Sequence, residues 1–215
     1  MMQRLISAAD GHLFDLDGTL LDSMCVWKEV DTEFFRRRGM EIPKGYLKDI
    51  APLTFRGTAE YTIARCGFTQ TPEELMEEWN AMSFVQYRDK VRLKPGAGSY
   101  IKRLYDAGKA LAIVTSLYGG FVEPCLTRNG IYRYFSAVLT ADSFPGGKAG
   151  EGIYRAAAAR LGLPTEKCIV YDDVHHALSA AKRAGCLTAA VREIGHAQAW
   201  DTCCREADFA LESWL

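Results

Sequence analysis

Two carboxylates stand two residues apart in FDLDGTLLDS, Phe14 to Ser23: Asp15 and Asp17, followed at once by Gly18-Thr19. The apolar run behind them reads as a buried strand, so both acids fall where that strand ends. Like charges about 4 Å apart at an effective dielectric near 20 repel by roughly 4 kcal/mol, and a cation must offset that. Other apolar runs end in the same manner. Thr115 and Ser116 close ALAIVTS, Asp172 and Asp173 close KCIVYDD, and Lys148 stands in FPGGKAGEG ahead of a helical pattern. Ligands of open α/β sheets bind outside the carboxyl ends of the strands. Four separate places in the chain therefore deliver two acids, a hydroxyl, an ammonium and two more acids to one rim.

Such a set has a definite chemistry. Carboxylate oxygens are hard donors and select Mg2+ over zinc. The metal and Lys148 together make room for an anionic substrate. A carboxylate can attack phosphorus as a nucleophile. A second acid on the same side can pass a proton to the leaving oxygen and later activate water. The Thr115 hydroxyl and the Lys148 ammonium can hold the equatorial oxygens, and positioning with charge neutralisation is most of what phosphoryl transfer needs.

The elements that must position these residues follow from hydrophobic pattern. HLFDLD (12–17), ALAIVTS (110–116) and KCIVYDD (167–173) are near-continuously apolar, as strands covered on both faces are. Weaker strand signals are AVLTA (137–141), LTAAV (187–191) and DFAL (208–211). Helical patterns lie between them: GSYIKRLYDAG with Tyr100, Ile101, Leu104 and Tyr105 on one face, GEGIYRAAAARLGL, and VHHALSAAKRAG. Strands alternating with helices predict a doubly wound, Rossmann-like α/β fold with a mainly parallel sheet. Residues 23–92 break the rhythm and read as helices only. SMCVWKEVDTEFFRRRG carries Val26, Trp27, Val30, Phe34 and Phe35 on one face and stops at Gly39. PLTFRGTAEYTIARCG is a second helix. TPEELMEEWNAMSFVQYRDKV opens with a capping box at Thr71, Pro72 and Glu74. The expected organisation is an α/β core of residues 1–22 and 93–215, interrupted by an α-helical segment at 23–92, with RLKPGAG as the returning turn.

Bulk properties exclude other classes. The net charge is −1, so no general attraction to nucleic acid or an anionic membrane is expected. No apolar run approaches the length of a membrane-spanning helix. The N-terminus, MMQRLISAADGHLF, lacks the long apolar stretch of a signal peptide. The seven cysteines are odd in number and form no CxxC, which predicts reduced thiols in a cytoplasmic protein and no zinc site.

The pattern resembles the haloacid dehalogenase superfamily of phosphotransferases, over essentially the whole chain. Its DxDGT motif is present as DLDGT (15–19), its Thr or Ser after a strand as Thr115, its lysine as Lys148, and its late acidic pair as YDD (171–173). The helical insert is similar to the cap of the beta-phosphoglucomutase and phosphoglycolate phosphatase branch. The resemblance implies Asp15 as the nucleophile that becomes an aspartyl phosphate and Asp17 as general acid and base. Asp15, the Asp17 backbone carbonyl, Asp172 and Asp173 would be metal ligands for Mg2+. Gly18, Thr19, Thr115, Ser116 and Lys148 would bind phosphate. Asp172 would ligate directly or through water. The chain departs from the family pattern at Val174, where Ser is common, at Ala177, where Gly is common, and at Ala149, where Pro is frequent.

Other residues carry simpler expectations. Asp22 reads as the N-cap of the helix in SMCVW. His175 and His176, adjacent on a helix, cannot both face one site. Trp27 and Phe34 read as core of the helical segment, and FRRRG as a solvated helix end. Arg56 is open to two readings, a cap residue reaching a substrate anion or a solvated arginine. The expected function is a Mg2+-dependent phosphatase acting on a small phosphorylated metabolite, a sugar phosphate or similar. The alternatives are a phosphomutase of the beta-phosphoglucomutase type and a non-catalytic binding protein on the same fold. Residues 23–92 contain no histidine, which counts against the mutase, because that branch uses one in its first cap helix. Substrate identity and oligomeric state are not legible in the sequence.

Overall fold

The apolar runs that end in polar residues meet in one sheet. The structure is a computed structural model and describes residues 9–50, 53, 55–193 and 197–214. In chain order the strands are β1 (Gly11–Phe14), β2 (Leu21–Asp22), β3 (Arg92–Leu93), β4 (Ala110–Thr115), β5 (Ala137–Thr140), β6 (Cys168–Asp172), β7 (Leu187–Val191) and β8 (Phe209–Leu211). The helices are α1 (Val26–Arg37), α2 (Tyr46–Ile50), α3 (Phe55–Cys66), α4 (Pro72–Asp89), α5 (Ala97–Asp106), α6 (Gly119–Arg128), α7 (Gly152–Arg160), α8 (His175–Arg183) and α9 (Ala197–Glu206). Among the described residues, no helix is long and apolar enough to cross a membrane.

The larger sheet has the order β5-β4-β1-β6-β7-β8, and every pair in it is parallel. From β1 the chain goes to β4 and β5 on one side and then to β6, β7 and β8 on the other. The topological switch point is therefore at β1, where crevices for ligands open. Alternation sends successive side chains to opposite faces. Leu13 and Val170 pack with Ile153, Tyr154, Ala157, Ala158, Ala180 and Ala181 of α7 and α8. On the opposite side Phe14 stacks on Tyr171, ring centroids 4.5 Å apart, and both lie near Tyr100 and Trp214.

By its contacts the chain divides into two compact units, residues 1–24 with 91–215 and residues 25–90. The second is built from α1 to α4 around Val30, Phe34, Phe35, Tyr46, Leu75 and Trp79, all buried. Edge-to-face rings join them: Phe34 with Trp79 at 5.5 Å and Phe35 with Tyr46 at 5.1 Å. α4 starts as its sequence predicts. Thr71 accepts from the Glu74 amide at 3.2 Å, the Thr71 amide donates to Glu74 at 2.8 Å, and Pro72 takes the first position.

Several expectations change. The strand expected over 12–17 ends at Phe14, because the Leu16 carbonyl accepts from the amides of Thr19, Leu20 and Leu21 and turns the chain. Asp22 is no helix cap. It pairs with Arg92 across a β2–β3 ribbon that the sequence did not reveal, and α1 begins beyond Cys25 with no side-chain cap. Trp27 is 44% exposed, with one ring contact to Phe55, and is not core. Tyr105 is half exposed against Tyr134. Of the three arginines in FRRRG, Arg36 and Arg37 are exposed, both on Glu33. Arg38 turns inward to Glu78 and Gln70, its guanidinium 3.8 Å over the Phe34 ring. Residues 52 and 54 of the second expected helix, and 1–8 of the N-terminal stretch, lie outside the described residues.

Candidate active site

Register brings the acids together. Phe14 pairs with Tyr171, and the Asp15 amide continues the ladder to the Tyr171 carbonyl at 3.0 Å. The next step along both strands therefore sets Asp15 beside Asp172. Asp173 follows at once. Asp15, Asp172 and Asp173 are buried and offer oxygens within 4.8 Å of one another.

Lys148 answers this charge. It lies in a short 3-10 turn, Gly147–Ala149, entered through the left-handed residues Gly146 and Gly147. Its Nζ stands 2.7 Å from Asp15 Oδ1 and 2.6 Å from Asp172 Oδ2. Tyr154, from α7, donates to the Lys148 carbonyl at 2.9 Å and anchors the turn. Burial by itself disfavours the ammonium, but Asp15 and Asp172 outweigh it and hold the group above its ordinary pKa. Asp172 fares differently. Burial pushes its carboxyl well above the usual range against the pull of Lys148, and Asp15 and Asp173 add to the push. One ammonium is shared by two of the carboxylates, with the third close by.

Gly18 turns at φ +73°, and a Cβ there would lie 2.6 Å from Asp173 Oδ2, so only glycine lets the loop approach that acid. Thr19 donates to Asp173 Oδ1 at 3.2 Å. The fully buried Thr115 accepts from the Leu117 amide at 3.1 Å, leaving its own hydrogen for another acceptor. Ser116 is exposed. Asp172 Oδ1 accepts from the Val174 amide at 3.0 Å, so valine at that position still serves the loop through its backbone. His175 and His176 are both exposed on α8. Arg56 is exposed and held by Glu73 at 2.5 Å and Glu60 at 3.1 Å within the helical unit.

Sequence reasoning missed several supports. Ser23 donates to Asp17 Oδ1 at 2.5 Å. The Cys203 thiol donates to the Asp173 carbonyl at 3.3 Å. Trp214 Nε1 donates to the Thr19 carbonyl at 3.0 Å. Only Ser23 left a trace, as the last residue of FDLDGTLLDS. The others act across long stretches of chain.

The donor set fits a hard divalent cation. Three buried carboxylates converge around the Lys148 ammonium, and all the donors are oxygen. Fold and rim together define a doubly wound α/β chain with a carboxylate and ammonium cluster at its switch point. A sequence model of the haloacid dehalogenase-like hydrolases matches residues 12–191, and the chain belongs to that family. It is 28% identical over 200 residues to a phosphoglycolate phosphatase of Neisseria meningitidis, covering 88% of this chain and 83% of that protein. It is 28% identical over 174 residues to validoxylamine A 7'-phosphate phosphatase of Streptomyces hygroscopicus subsp. limoneus, covering 80% and 81%. It is 24% identical over 181 residues to fructose-1-phosphate phosphatase YqaB of Escherichia coli, covering 81% and 92%. Similar folds include a candidate beta-phosphoglucomutase from Thermotoga maritima, TM-score 0.83 at 19% identity over 95% of each chain. CbbY from Rhodobacter sphaeroides in complex with phosphate superposes with TM-score 0.72 at 21% identity, over 96% and 95%.

Proposed function

We propose that the protein is a Mg2+-dependent phosphatase that hydrolyses a small phosphorylated metabolite, a sugar phosphate or similar, through an aspartyl phosphate on Asp15. The observation that carries this reading is the Lys148 ammonium between Asp15 and Asp172, within a cluster of three converging acids. The enzyme is a phosphatase of its family. Its relatives bear the names of phosphatases of phosphoglycolate, fructose 1-phosphate and validoxylamine A 7'-phosphate, all small monoesters.

An Asp15 oxygen attacks phosphorus, and the bond from phosphorus to the leaving oxygen breaks. Asp17 gives that oxygen its proton. Water then attacks the same phosphorus, Asp17 takes the proton, and the bond to Asp15 breaks, which restores both carboxyls. Lys148 and the Thr115 hydroxyl hold the equatorial oxygens, and Ser23 keeps Asp17 oriented. Asp15, the Asp17 carbonyl, Asp172 and Asp173 would hold Mg2+. The ion would supply Lewis-acid neutralisation of the phosphoryl oxygens. The helical unit, residues 25–90, would act as a cap that excludes water. Seven free thiols suit a reducing, cytoplasmic setting.

The test is phosphate release from a panel of small phosphate esters with Mg2+, comparing the native protein with Asp15→Asn. Turnover that requires the metal and vanishes in the variant supports the reading. Equal rates in both proteins remove Asp15 as nucleophile. Label moving between hydroxyls of a hexose phosphate without free phosphate selects a mutase instead.

A further inference from the structure

Asp15 and Asp17 sit on a loop whose next two carbonyls are both taken by side chains from elsewhere in the core unit. The Gly18 carbonyl accepts from Lys94 Nζ, and the Thr19 carbonyl accepts from Trp214 Nε1 at 3.0 Å. Lys94 does more than make that one bond. Its Nζ also donates to the Arg192 carbonyl at 3.0 Å and stands 2.6 Å from Glu193 Oε2. Its backbone amide donates to the Leu20 carbonyl at 2.8 Å, extending the β2–β3 ribbon. The Lys94 and Glu193 side chains are 15% and 9% exposed, so this ammonium is largely withdrawn from water. Such a charge needs its partners, and these fix it at the junction of three segments: the loop after β1, the entry to α5, and the end of β7.

Gly18 is the residue whose missing Cβ lets the loop meet Asp173. A shift of its peptide plane moves Asp17 on one side and Thr19, the donor to Asp173, on the other. We propose that Lys94 is a positioning residue for the reaction: its ammonium, held by Glu193, fixes the Gly18 carbonyl and with it the approach of the Asp15–Thr19 loop to Asp173. Trp214 supports the same loop one carbonyl later. This inference rests on the phosphatase reading for its catalytic half, but the order of the loop is measurable without turnover. Lys94 touches no reacting atom, and its effect passes through the backbone.

Lys94→Met keeps the aliphatic stem and removes the charge, and Lys94→Arg restores a donor. Lys109→Met serves as control, since Lys109 is a partly covered lysine paired with Asp10 at 3.2 Å, away from the loop. Two quantities are read: kcat and KM for p-nitrophenyl phosphate with Mg2+, and amide hydrogen exchange of the loop peptide 15–21 against that of β4. In Lys94→Met, kcat falls about 10- to 100-fold with KM changed less than about threefold. Loop exchange speeds by about tenfold or more while β4 stays protected. Lys94→Arg recovers most of both, and Lys109→Met changes neither. Loop exchange unchanged in Lys94→Met overturns the inference whatever the turnover. Faster loop exchange with native kcat overturns its catalytic half. Faster exchange in the loop and β4 alike reduces Lys94 to a general stabiliser and also overturns it. If the native protein releases no phosphate from any ester, the phosphatase reading falls, and exchange still decides whether Lys94 orders the loop.

Discussion

Lys148 Nζ lies 2.7 Å from Asp15 Oδ1, while the same ammonium is shared with Asp172 at 2.6 Å. Removing it takes from the buried carboxylates of Asp15 and Asp172 the ammonium that they share. Lys148→Met is expected to lower kcat by about 10²- to 10³-fold, the usual loss when a preorganised charge stabiliser is removed. Stability of the metal-free protein falls by roughly 3 kcal/mol near pH 8, as when one partner of a buried pair is deleted. Added Mg2+ recovers part of that stability and little of the activity. Urea midpoints with and without Mg2+, beside initial rates, check both halves. An active Lys148→Met would mean that the ammonium only fills space.

Gly18→Ala tests the close approach of loop and acid. The new methyl would lie 2.6 Å from Asp173 Oδ2 in a left-handed backbone, so both sterics and φ oppose it. The loop must move away from Asp173, separating two parts of the site. The expected result is a loss of activity of about 100-fold or more. The loss of stability is roughly 1–3 kcal/mol, in the range for a strained backbone position. Activity within threefold of native would show that Asp173 yields without consequence.

The legibility of this chain divides along a physical line. Asp15, Thr115, Asp172 and Asp173 could be placed from sequence because each ends an apolar strand, and parallel strands put such ends on one rim. Their register with Lys148, a turn between β5 and α7, could not be read, since no local pattern records it. Asp22 reads as a helix cap because caps are local signals, but its partner Arg92 is far along the chain and a two-residue strand carries no periodicity. Trp27 shares a helical face on paper with Val26 and Val30, and spacing alone cannot say where a buried stripe stops. Lys94 falls within the turn that RLKPGAG predicts, and its tertiary bonds to Gly18, Arg192 and Glu193 leave no trace in spacing.

His12 gives the core an acid sensitivity. It is fully buried beside Phe14 and Tyr171, with Nδ1 2.9 Å from the Tyr171 hydroxyl. Burial, with the positive charge of Lys109 adding to it, lowers the imidazole pKa from 6.5 to about 4. The unfolded chain takes up the proton near pH 6.5, and the folded chain only near pH 4. Stability from this group is present above pH 6.5 and is lost as pH falls toward 4, about 3 kcal/mol in all. His12→Phe keeps a ring in the stack and leaves Tyr171 its bond to Tyr100. Its urea midpoint should decline less than native between pH 7 and pH 4. Parallel declines would place the acid sensitivity elsewhere.

Asp31 works in the opposite sense in the helical unit. Its side chain is buried on α1, and burial raises its pKa from 3.8 to about 6. The folded chain therefore holds this proton more tightly than the unfolded chain. The stabilisation is complete below pH 3.8 and is lost as pH rises through 6. Above that the ionised, buried carboxylate costs the fold about 3 kcal/mol relative to its protonated form. Asp31→Asn keeps the shape and abolishes the titration. Its stability should match native near pH 4 and exceed it at pH 7.5 by about 2–3 kcal/mol, the gap opening between those values. Urea unfolding followed by tryptophan fluorescence across that range measures the difference directly. A constant difference at every pH would mean that Asp31 titrates alike in the folded and unfolded chain, and that its burial does not govern its charge.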